Sequence, residues 1–476
     1  MAFGAAAPTG PGHAGHAGYA ERVATLRARL AEIPAGTPVR LAKRTSNLFR
    51  PRTRRAPAGL DVSDFDHVLS VDPQTRTADV EGMVTYERLV DATLPHGLMP
   101  LVVPQLKTIT LGGAVTGLGI ESSSFRAGMP HESVLEMDIL TGAGDVVTAT
   151  PDGEHRDLFH GFPNSYGTLG YALRLRIELA PVRPYVRLEH VHFSDRRRFV
   201  ERLRSACRDR EADFVDGTVF GPHEMYLTLA SFTGEPDDAD AIGDYTWLDI
   251  YYRSIREKSV DHLPIRDYLW RWDTDWFWCS RALGAQNRLV RLLAGPRLLR
   301  SDVYWKVVAA ERRYGILARV RRLFGRPERE AVMQDIEVPA RHAEAFLAFL
   351  HREIPLSPIW VCPLQNRDRR RWPLYDLDPD ELYVNVGFWG TVPLAPGEAQ
   401  GSHNRRVESV VTELGGRKSL YSESFYDRDT FWRLYGGGTD DDEGDDDAGS
   451  TYHALKRRYD PNGRLLDLYA KCVQAR

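Results

Sequence analysis

The chain has 476 residues, of which 42% are hydrophobic and 27% charged, with a formal net charge of −4. This length predicts two or three domains, and the composition excludes collagen, a small disulfide scaffold, global disorder and a polycationic nucleic-acid-binding protein. The four cysteines form no CxxC pair, which predicts free thiols in a reducing cytoplasm and no structural metal site.

In chain order, residues 1–18 are rich in Gly and Ala and predict a disordered tail without the features of a signal peptide. Helical spacing of apolar residues predicts helices over Tyr19–Ile33 and Tyr86–His96. Short strands are predicted at Val39–Ala42, Val68–Val71 and Thr77–Glu81. Strict alternation predicts a longer strand over Tyr171–Leu179, and the prolines after it mark a domain boundary at residues 182/183.

Residues 183–435 mix strand and helix patterns, which predicts a second domain of α+β class. Helices are predicted over Arg196–Arg208 and Ala340–Arg352, and an alternating strand over Leu382–Phe388. Seven acids among glycines predict a solvated, disordered loop over residues 436–451. Residues 452–476 predict a C-terminal helical segment.

A glycine-rich block at residues 111–128 carries the first binding signal, because glycines let a backbone approach a ligand closely. The block lacks the Lys of a Walker A loop and the third glycine of a GxGxxG fingerprint, which excludes both of those nucleotide sites. A second glycine pair, Gly167 and Gly170, runs directly into the alternating strand.

Two glycine-bearing segments separated by strands resemble the vanillyl-alcohol-oxidase, or PCMH-type, FAD-binding fold. The run GLGIESSS at Gly117–Ser124, followed by Gly128, resembles the delta-24-sterol reductase family of FAD-dependent oxidoreductases. Further matching blocks begin at Pro358, Glu381 and Thr430 and keep the family's order. The similarity extends over about residues 40–475.

The resemblance implies a noncovalently bound FAD in a domain of two α/β lobes, residues 19–182. An α+β substrate domain would follow at 183–435, and residues 452–476 would return to the FAD domain. The residues that the resemblance places near FAD are Thr45, Ser46, Asn47, Thr110, Gly112, Gly113, Thr116, Gly117, Gly119, Ile120, Ser122, Ser123, Ser124, Gly128, Gly167, Thr168, Gly170 and Ile177.

Bacterial members of this family reduce the 10-methylene branch of a phospholipid-bound fatty acyl chain to 10-methyl, and the arginine-rich composition indicates a bacterial genome. The resemblance thus implies a lipid C=C reductase that uses NADPH or NADH and is functionally linked to a fatty-acid methyltransferase. Sterol side-chain delta-24 reduction and FAD-dependent alcohol oxidation or dehydrogenation stay open as alternatives, as does a flavin-binding membrane scaffold.

Residues 270–326 predict a membrane-facing element. Four tryptophans lie within 270–278, and residues 281–326 hold twelve basic and only two acidic side chains among leucines. Such interleaving is typical of a surface that binds an anionic membrane rather than nucleic acid. The sequence therefore predicts a cytoplasmic protein, peripheral to the inner face of the cell membrane.

Reduction of an isolated alkene needs a proton donor opposite the flavin in an apolar channel. The first candidates are Glu423 and Tyr421, which would share one face if residues 420–426 form a strand. Glu121, inside the glycine-rich block, is the second candidate. Burial would keep such a carboxyl group protonated.

Overall fold

The computed structural model describes residues 11–34, 36–43, 58–238, 242–314, 319, 327–438 and 450–474. The predicted FAD contacts Thr45, Ser46 and Asn47 lie outside the described residues. So does most of the predicted acidic loop, residues 439–449.

The N-terminal region, residues 11–182, is built on two sheets. Its strands are β1 (Val39–Ala42), β2 (Ala58–Asp61), β3 (Val68–Asp72), β4 (Thr77–Glu81), β5 (Leu98–Pro100), β6 (Val134–Thr141), β7 (Val146–Ala149) and β8 (Gly170–Pro181). Its helices are α1 (Pro11–Glu32), α2 (Tyr86–Thr93), α3 (Leu111–Thr116), α4 (Ser124–Ala127) and α5 (Arg156–Gly161). Strands β1 and β2 pair in parallel, and the second sheet has the order β3-β4-β8-β6-β7, with β5 also on β8.

The alternating strand predicted at Tyr171–Leu179 is confirmed as β8, which is longer at both ends. On one face its apolar residues enter the core, and on the other Arg174 binds carboxylates of β4 and β6, with Nε 2.8 Å from Asp138 Oδ2. Helix α1 crosses this polar face, where the Tyr19 hydroxyl donates to Asp138 at 2.9 Å. The helix begins at Pro11, eight residues before its predicted start, so residues 11–18 of the predicted disordered tail are helical.

The second region holds an eight-stranded antiparallel sheet. Its strands are β9 (Tyr185–Phe193), β10 (Phe214–Gly221), β11 (Glu224–Thr233), β12 (Val260–Pro264), β13 (Arg329–Pro339), β14 (Ile359–Leu364), β15 (Tyr383–Pro393) and β16 (Arg417–Lys418). Their order is β12-β9-β11-β10-β14-β15-β13-β16. The helices are α6 (Arg196–Arg208), α7 (Tyr251–Ser254), α8 (Ile265–Leu269), α9 (Arg288–Ala294), α10 (Ser301–Tyr314), α11 (Ala343–Glu353) and α12 (Ser402–Glu413).

The two faces of this sheet have different neighbours. Its outer face packs alternate apolar residues, such as Ile336 and Val386, against Phe199 of α6, Phe346 of α11 and Val407 of α12. Its inner face joins the large core that includes the N-terminal region. The chain then continues through α13 (Arg428–Tyr435) and α14 (Thr451–Tyr459). None of the described helices is both long and apolar enough to cross a lipid bilayer.

Helix α14 lies on the N-terminal region. Lys456 Nζ donates to the carbonyl of Thr168 at 2.8 Å, and the Tyr459 hydroxyl donates to Asp157 of α5 at 2.8 Å. Asp460, just after the helix, accepts from the backbone amides of Arg464 and Leu465 at 2.8 and 2.9 Å and so folds the turn that follows.

Candidate functional site

The inner face of the eight-stranded sheet carries polar side chains in rows across the strands. Cys362 of β14 lies opposite Asn385 of β15, and Asn385 lies opposite Glu337 of β13. The next residues along these strands, Ile336 and Val386, point to the apolar outer face. Because strand side chains alternate between faces, the sheet presents a polar row toward the N-terminal region.

A second row runs beside the first, from Trp360 through Gly387 to Asp335. A Cβ at position 387 would lie 2.6 Å from Asp335 Oδ1 and 2.6 Å from the ring of Trp389. Glycine is therefore required at 387, because any side chain would displace the tryptophan ring or the carboxylate from this face.

Glu337 is a fully buried acid in the first row. The Ser419 hydroxyl donates to its Oε1 at 3.1 Å, and the Tyr375 hydroxyl donates to its Oε2. Burial raises the pKa of Glu337 to about 8, because the charged form loses its hydration, and these hydrogen bonds only partly oppose the rise. Burial therefore favours the protonated form of Glu337.

Asp335, two residues earlier, is hydrogen-bonded to the predicted catalytic Tyr421. Asn385 Nδ2 donates to its Oδ1 at 3.2 Å, and Trp389 Nε1 donates to the Tyr421 hydroxyl at 2.9 Å. Burial raises the pKa of Asp335 to about 6. Asp335, Tyr421 and Trp389 are half-buried, whereas Glu337 is fully buried.

Glu121, the other predicted acid, belongs to a separate buried group. Gln105 Nε2 donates to Glu121 Oε2 at 2.6 Å, and burial raises the pKa of Glu121 to about 8 although Arg271 opposes the rise. Arg271 itself pairs with Asp216 of β10 at 3.0 Å and lies over the ring of Tyr268, 4.1 Å from its centroid.

The segment from Glu121 to Ser124 is joined to the sheet through its backbone. Its carbonyls accept from the backbone amides of Val215 on β10 and Gln365 after β14, at 2.8 and 3.2 Å. These two hydrogen bonds hold the end of the glycine-rich block against strands β10 and β14 of the sheet.

The predicted strand over residues 420–426 is wrong, because Tyr421 to Asp427 has no regular structure. Glu408 of α12 shapes this segment by accepting from the Phe425 backbone amide at 3.0 Å and from Lys418 Nζ at 2.7 Å. Lys418 Nζ also donates to the backbone carbonyl of Glu423, whose side chain is half-buried. Of the two predicted residues, the structure brings Tyr421 to the acids of β13.

The tryptophans of residues 270–278 are buried, so the prediction that placed them at a membrane is wrong. Trp272 and Trp278 flank Phe277. The Phe277 ring also lies 4.6 Å from Trp389 and 5.6 Å from Trp360, centroid to centroid. Trp276 and Phe277 adopt φ of 46° and 59°, a left-handed bend that turns Phe277 toward the sheet. The aromatic cluster gives the site an apolar wall.

The glycine-rich block forms the short helix α3 and the loop after it. The Thr110 hydroxyl caps α3 by accepting from the Gly113 amide at 3.2 Å, and the Thr116 hydroxyl donates to the Gly112 carbonyl at 2.7 Å. Gly112 is explained by packing, because a Cβ there would lie 2.7 Å from the carbonyl oxygen of Gly82.

The loop after α3 meets the second glycine segment. The Tyr166 amide donates to the Thr116 carbonyl at 2.7 Å, and a Cβ at Gly117 would lie 3.3 Å from the Tyr166 ring. Leu118, Gly119 and Ile120 are half-buried, and no group in the described part of the chain accepts from their backbone amides. These amides can therefore donate to a bound ligand.

The other predicted cofactor contacts have partners within the fold. The hydroxyls of Ser122, Ser123 and Thr168 bond to Tyr268, the Leu101 carbonyl and the Ser165 carbonyl, at 3.3, 2.9 and 2.7 Å. The Ser124 hydroxyl accepts from the Glu121 amide at 2.9 Å, and Ile177 lies in the core. The left-handed glycines are Gly128 and Gly167, with φ of 70° and 73°. At Gly170 a Cβ would lie 2.6 Å from Ile139.

Comparison with known proteins adds the cofactor and the reaction class. The sequence model of a family described as an FAD binding domain matches residues 19–150. The delta(24)-sterol reductase of Rattus norvegicus is 26% identical over 418 residues, which cover 86% of this chain and 76% of the rat protein. The chain is an FAD-dependent oxidoreductase.

Two further relatives delimit the similarity. The delta(24)-sterol reductase of Arabidopsis thaliana is 25% identical over 459 residues, 88% of this chain and 77% of the plant protein. Cytokinin dehydrogenase 7 of Oryza sativa is 36% identical, but only over 145 residues, 30% of this chain and 28% of that protein. The oxidoreductase therefore resembles the sterol reductases across both of its regions.

The residues present fit an FAD. Among the described residues nothing accepts from the three backbone amides of Leu118–Ile120, which can therefore donate to a negatively charged pyrophosphate or a flavin ring. Phe277 and Trp389 lie beside the rows of the inner face, so aromatic and hydrogen-bonding side chains meet there. In the described residues no group of three or more His, Cys, Asp or Glu side chains is arranged to hold a metal.

Sequence reasoning missed four site residues of this oxidoreductase: Asp335, Glu337, Tyr375 and Arg271. The two acids had a signal, because both lie inside an alternating strand that also carries Val332, Ile336 and Val338. Acids at successive inward positions of a strand are unusual unless they are hydrogen-bonded or functional. Tyr375 and Arg271 had none, because only the tertiary fold brings Tyr375 to Glu337 and Arg271 to Asp216 and Glu121.

Proposed function

We propose that the chain reduces an isolated C=C bond of a lipid, with FAD as its redox cofactor. The observation that carries the proposal is Glu337, which is buried on the inner face of the sheet with its pKa raised to about 8, in a chain similar over most of its length to delta(24)-sterol reductases. An alcohol oxidase would need a base at this position rather than a neutral acid.

FAD, when bound and reduced, supplies the hydride. The chain's own residues must supply the proton, because an alkene that accepts only hydride would become an unstabilised carbanion. Protonation of the less substituted carbon leaves positive charge on the other carbon, so the donor must be a neutral acid in a site that excludes water. Glu337 meets both conditions, because it is buried and its pKa is raised to about 8. Its hydrogen-bond partner Tyr375 connects it to the N-terminal region, since the neighbouring Leu374 carbonyl accepts from Asn164 Nδ2 at 2.5 Å.

Tyr421, hydrogen-bonded to Asp335 and Trp389, is proposed to contact the substrate. Glu121 and Glu423 stay proposals for the donor. Glu121 is neutral at pH 7 but lies in the separate group with Gln105, and Glu423 is half-buried in the irregular segment after β16. Glu337→Gln, Glu121→Gln and Glu423→Gln, each assayed for reduction of the C=C bond, would identify which of the three acids is the proton donor.

The substrate that we propose is a phospholipid-bound 10-methylene fatty acyl chain, which the enzyme converts to the 10-methyl chain. The arginine-rich composition supports a bacterial source, where sterol side chains are uncommon. NADPH or NADH would reduce the flavin, and a fatty-acid methyltransferase would supply the methylene branch. The enzyme would act in the cytoplasm on the inner face of the cell membrane. A sterol with a delta-24 double bond is the second candidate, favoured by the names of the relatives.

The test is lipid analysis of cells that make the chain together with a methylene-forming fatty-acid methyltransferase. We expect the methylene branch to disappear and the methyl branch to appear, and both changes to be lost with Glu337→Gln. Unchanged methylene lipid, with FAD in the purified protein, would overturn the fatty acyl substrate. Purified enzyme with NADPH and a delta-24 sterol would then test the second candidate, and rapid peroxide formation in air would instead indicate an oxidase.

A further inference from the structure

Helix α9 (Arg288–Ala294) reverses the usual arrangement of a surface helix. Leu289, Leu292 and Leu293 are 70%, 54% and 88% exposed, whereas Arg291 between them is 0% exposed. A surface helix normally buries its leucines and exposes its arginines. The leucines of α9 therefore point toward solvent, and Arg291 points into the protein.

Arg291 is fixed by bonds that leave α9 no freedom to rotate. Its Nη1 pairs with Asp275 at 2.6 Å, and its Nε donates to the Trp247 carbonyl at 2.6 Å. In return Trp247 Nε1 donates to the Arg291 carbonyl at 2.9 Å. A rotation that buried the leucines would break this buried ion pair, which is strongly unfavourable.

The apolar surface continues beyond α9. Of the ten large apolar residues that are exposed in the described part of the chain, seven lie between positions 289 and 314. We call five of them the docking face: Leu289, Leu292, Leu293, Leu298 and Val307. The small core beneath them, formed by Trp276, Ala285, Leu299 and Tyr304, holds α9 and α10 together.

The charges around the docking face identify its partner. From Trp276 to Ser301 the sequence has no acidic residue. Arg288, Arg297 and Lys306 are exposed, and within the described part of the chain none of them forms an ion pair. Outward leucines bordered by free cations fit a surface with an apolar interior and negative head groups, whereas a protein partner would need its own acidic rim.

We propose that the docking face inserts into the surface of an anionic phospholipid bilayer. The inserted leucines would lie next to the segment that holds the aromatic cluster, because Asp275, the partner of Arg291, is two residues from Phe277. The proposal deepens the proposed function by giving a lipid substrate a route to the site. The tryptophans of residues 270–278 are not part of the inserted surface.

Co-sedimentation of the full chain with vesicles tests the docking face. We expect binding to vesicles of phosphatidylcholine with one-third phosphatidylglycerol and much weaker binding to phosphatidylcholine alone. Leu292→Ser with Leu293→Ser should weaken binding to the anionic vesicles at least about tenfold, and Arg288→Gln with Arg297→Gln should weaken it and remove its salt dependence. The matched control is Leu135→Ser with Leu466→Ser, two exposed leucines elsewhere that are 38% and 41% exposed. It should bind as the unaltered chain does.

Equal vesicle binding by the leucine variant and the control would overturn the proposal. So would an unaltered chain that ignores anionic vesicles, or one that forms a dimer which Leu292→Ser with Leu293→Ser dissociates in sedimentation velocity, because the face would then bind a second copy. FAD content and turnover of detergent-dispersed lipid report on the proposed function separately. Both should be unchanged in the docking variant, so loss of vesicle binding with retained turnover isolates the docking face.

Discussion

The inner face of the eight-stranded sheet and helix α9 both depart from the rule that polar residues lie outside and apolar residues inside. The sheet buries Glu337 and half-buries Asp335, whereas α9 exposes three leucines and buries an arginine. The departures differ in cause. The acids have hydrogen-bond partners inside the protein, while the leucines point outward because a buried ion pair holds Arg291 inward. The buried polar side chains thus identify the candidate catalytic site, and the exposed apolar side chains identify a candidate docking surface.

The largest effect is expected from Glu337→Gln. If the buried acid donates the proton, reduction of the lipid C=C bond should fall by about 10²–10⁴-fold, the usual contribution of a general acid, while FAD content stays unchanged. Single-turnover reduction in the purified enzyme, with the flavin reduced beforehand, measures this step. Glu423→Gln is the comparison variant, and a larger loss in that variant than in Glu337→Gln would move the donor role to Glu423.

A comparable effect on stability is expected from Arg291→Met. Removal of the guanidinium leaves Asp275 buried without its charge partner, which costs about 3–5 kcal/mol of unfolding free energy. Urea denaturation followed by tryptophan fluorescence measures the loss. Arg288→Met, at an exposed position of the same helix, should change the unfolding free energy by less than about 0.5 kcal/mol. Equal losses would mean that the buried pair does not fix α9.

Two leucines that are adjacent in the sequence distinguish the exposed docking face from the core beneath it. Leu298 is 53% exposed and Leu299 is 3% exposed. Leu299→Ala should destabilise the chain by about 2–5 kcal/mol because it opens a cavity beside Trp276 and Tyr304, while Leu298→Ala should change the unfolding free energy by less than about 0.5 kcal/mol. Thermal unfolding of both variants checks the pair. A large loss in Leu298→Ala would show that the docking face is covered within the protein.

The smallest expected effect is a pH dependence of the unfolding free energy that comes from Glu337 on the inner face of the sheet. Burial raises the pKa of Glu337 from 4.5 to about 8, so between these values the native state keeps a proton that the unfolded chain has lost. The free energy of unfolding should therefore fall as pH rises through this window, by up to about 1.4 kcal/mol per pH unit for each such proton.

Urea unfolding at several pH values between 5 and 9 measures this slope. Glu337→Gln should make it shallower, and a part should remain because the pKa of Glu121 is also raised to about 8. The exposed Glu257→Gln is the control and should leave the slope unchanged. An identical slope in Glu337→Gln would mean that Glu337 is ionised in the native state.

Much of the fold could be predicted from local patterns. Strand β8, helix α6 and strands β1 and β4 follow the predicted bounds closely, because period-two and helical spacing are local properties of the sequence. The segment Tyr421–Asp427 could not be predicted in the same way. Its side chains alternate in burial as in a strand, but Glu408 and Lys418 from other elements hold its backbone in an irregular path.

The site was predicted in part for the same reason. The glycines of residues 111–128 and 167–170 identify a cofactor-binding segment, since the missing side chains are visible in the sequence. Many of these glycines nevertheless serve packing, as Gly112 does against Gly82 and Gly170 against Ile139. The acids of β13 become recognisable as candidate catalytic groups only in the folded sheet. There Glu337 lies opposite Asn385 and is hydrogen-bonded to Tyr375, and Asp335 is hydrogen-bonded to Tyr421.

The sequence by itself determined the elements, the glycine-rich segments and the excess of positive charge after residue 280, because spacing and composition need no knowledge of neighbours. Only the tertiary structure decided that the tryptophans of residues 270–278 are core, that Arg291 is buried and the α9 leucines are exposed, and that the pKa of Glu337 is raised. Burial and the pKa of a buried group depend on what the rest of the chain brings into contact, and a linear pattern does not contain those contacts.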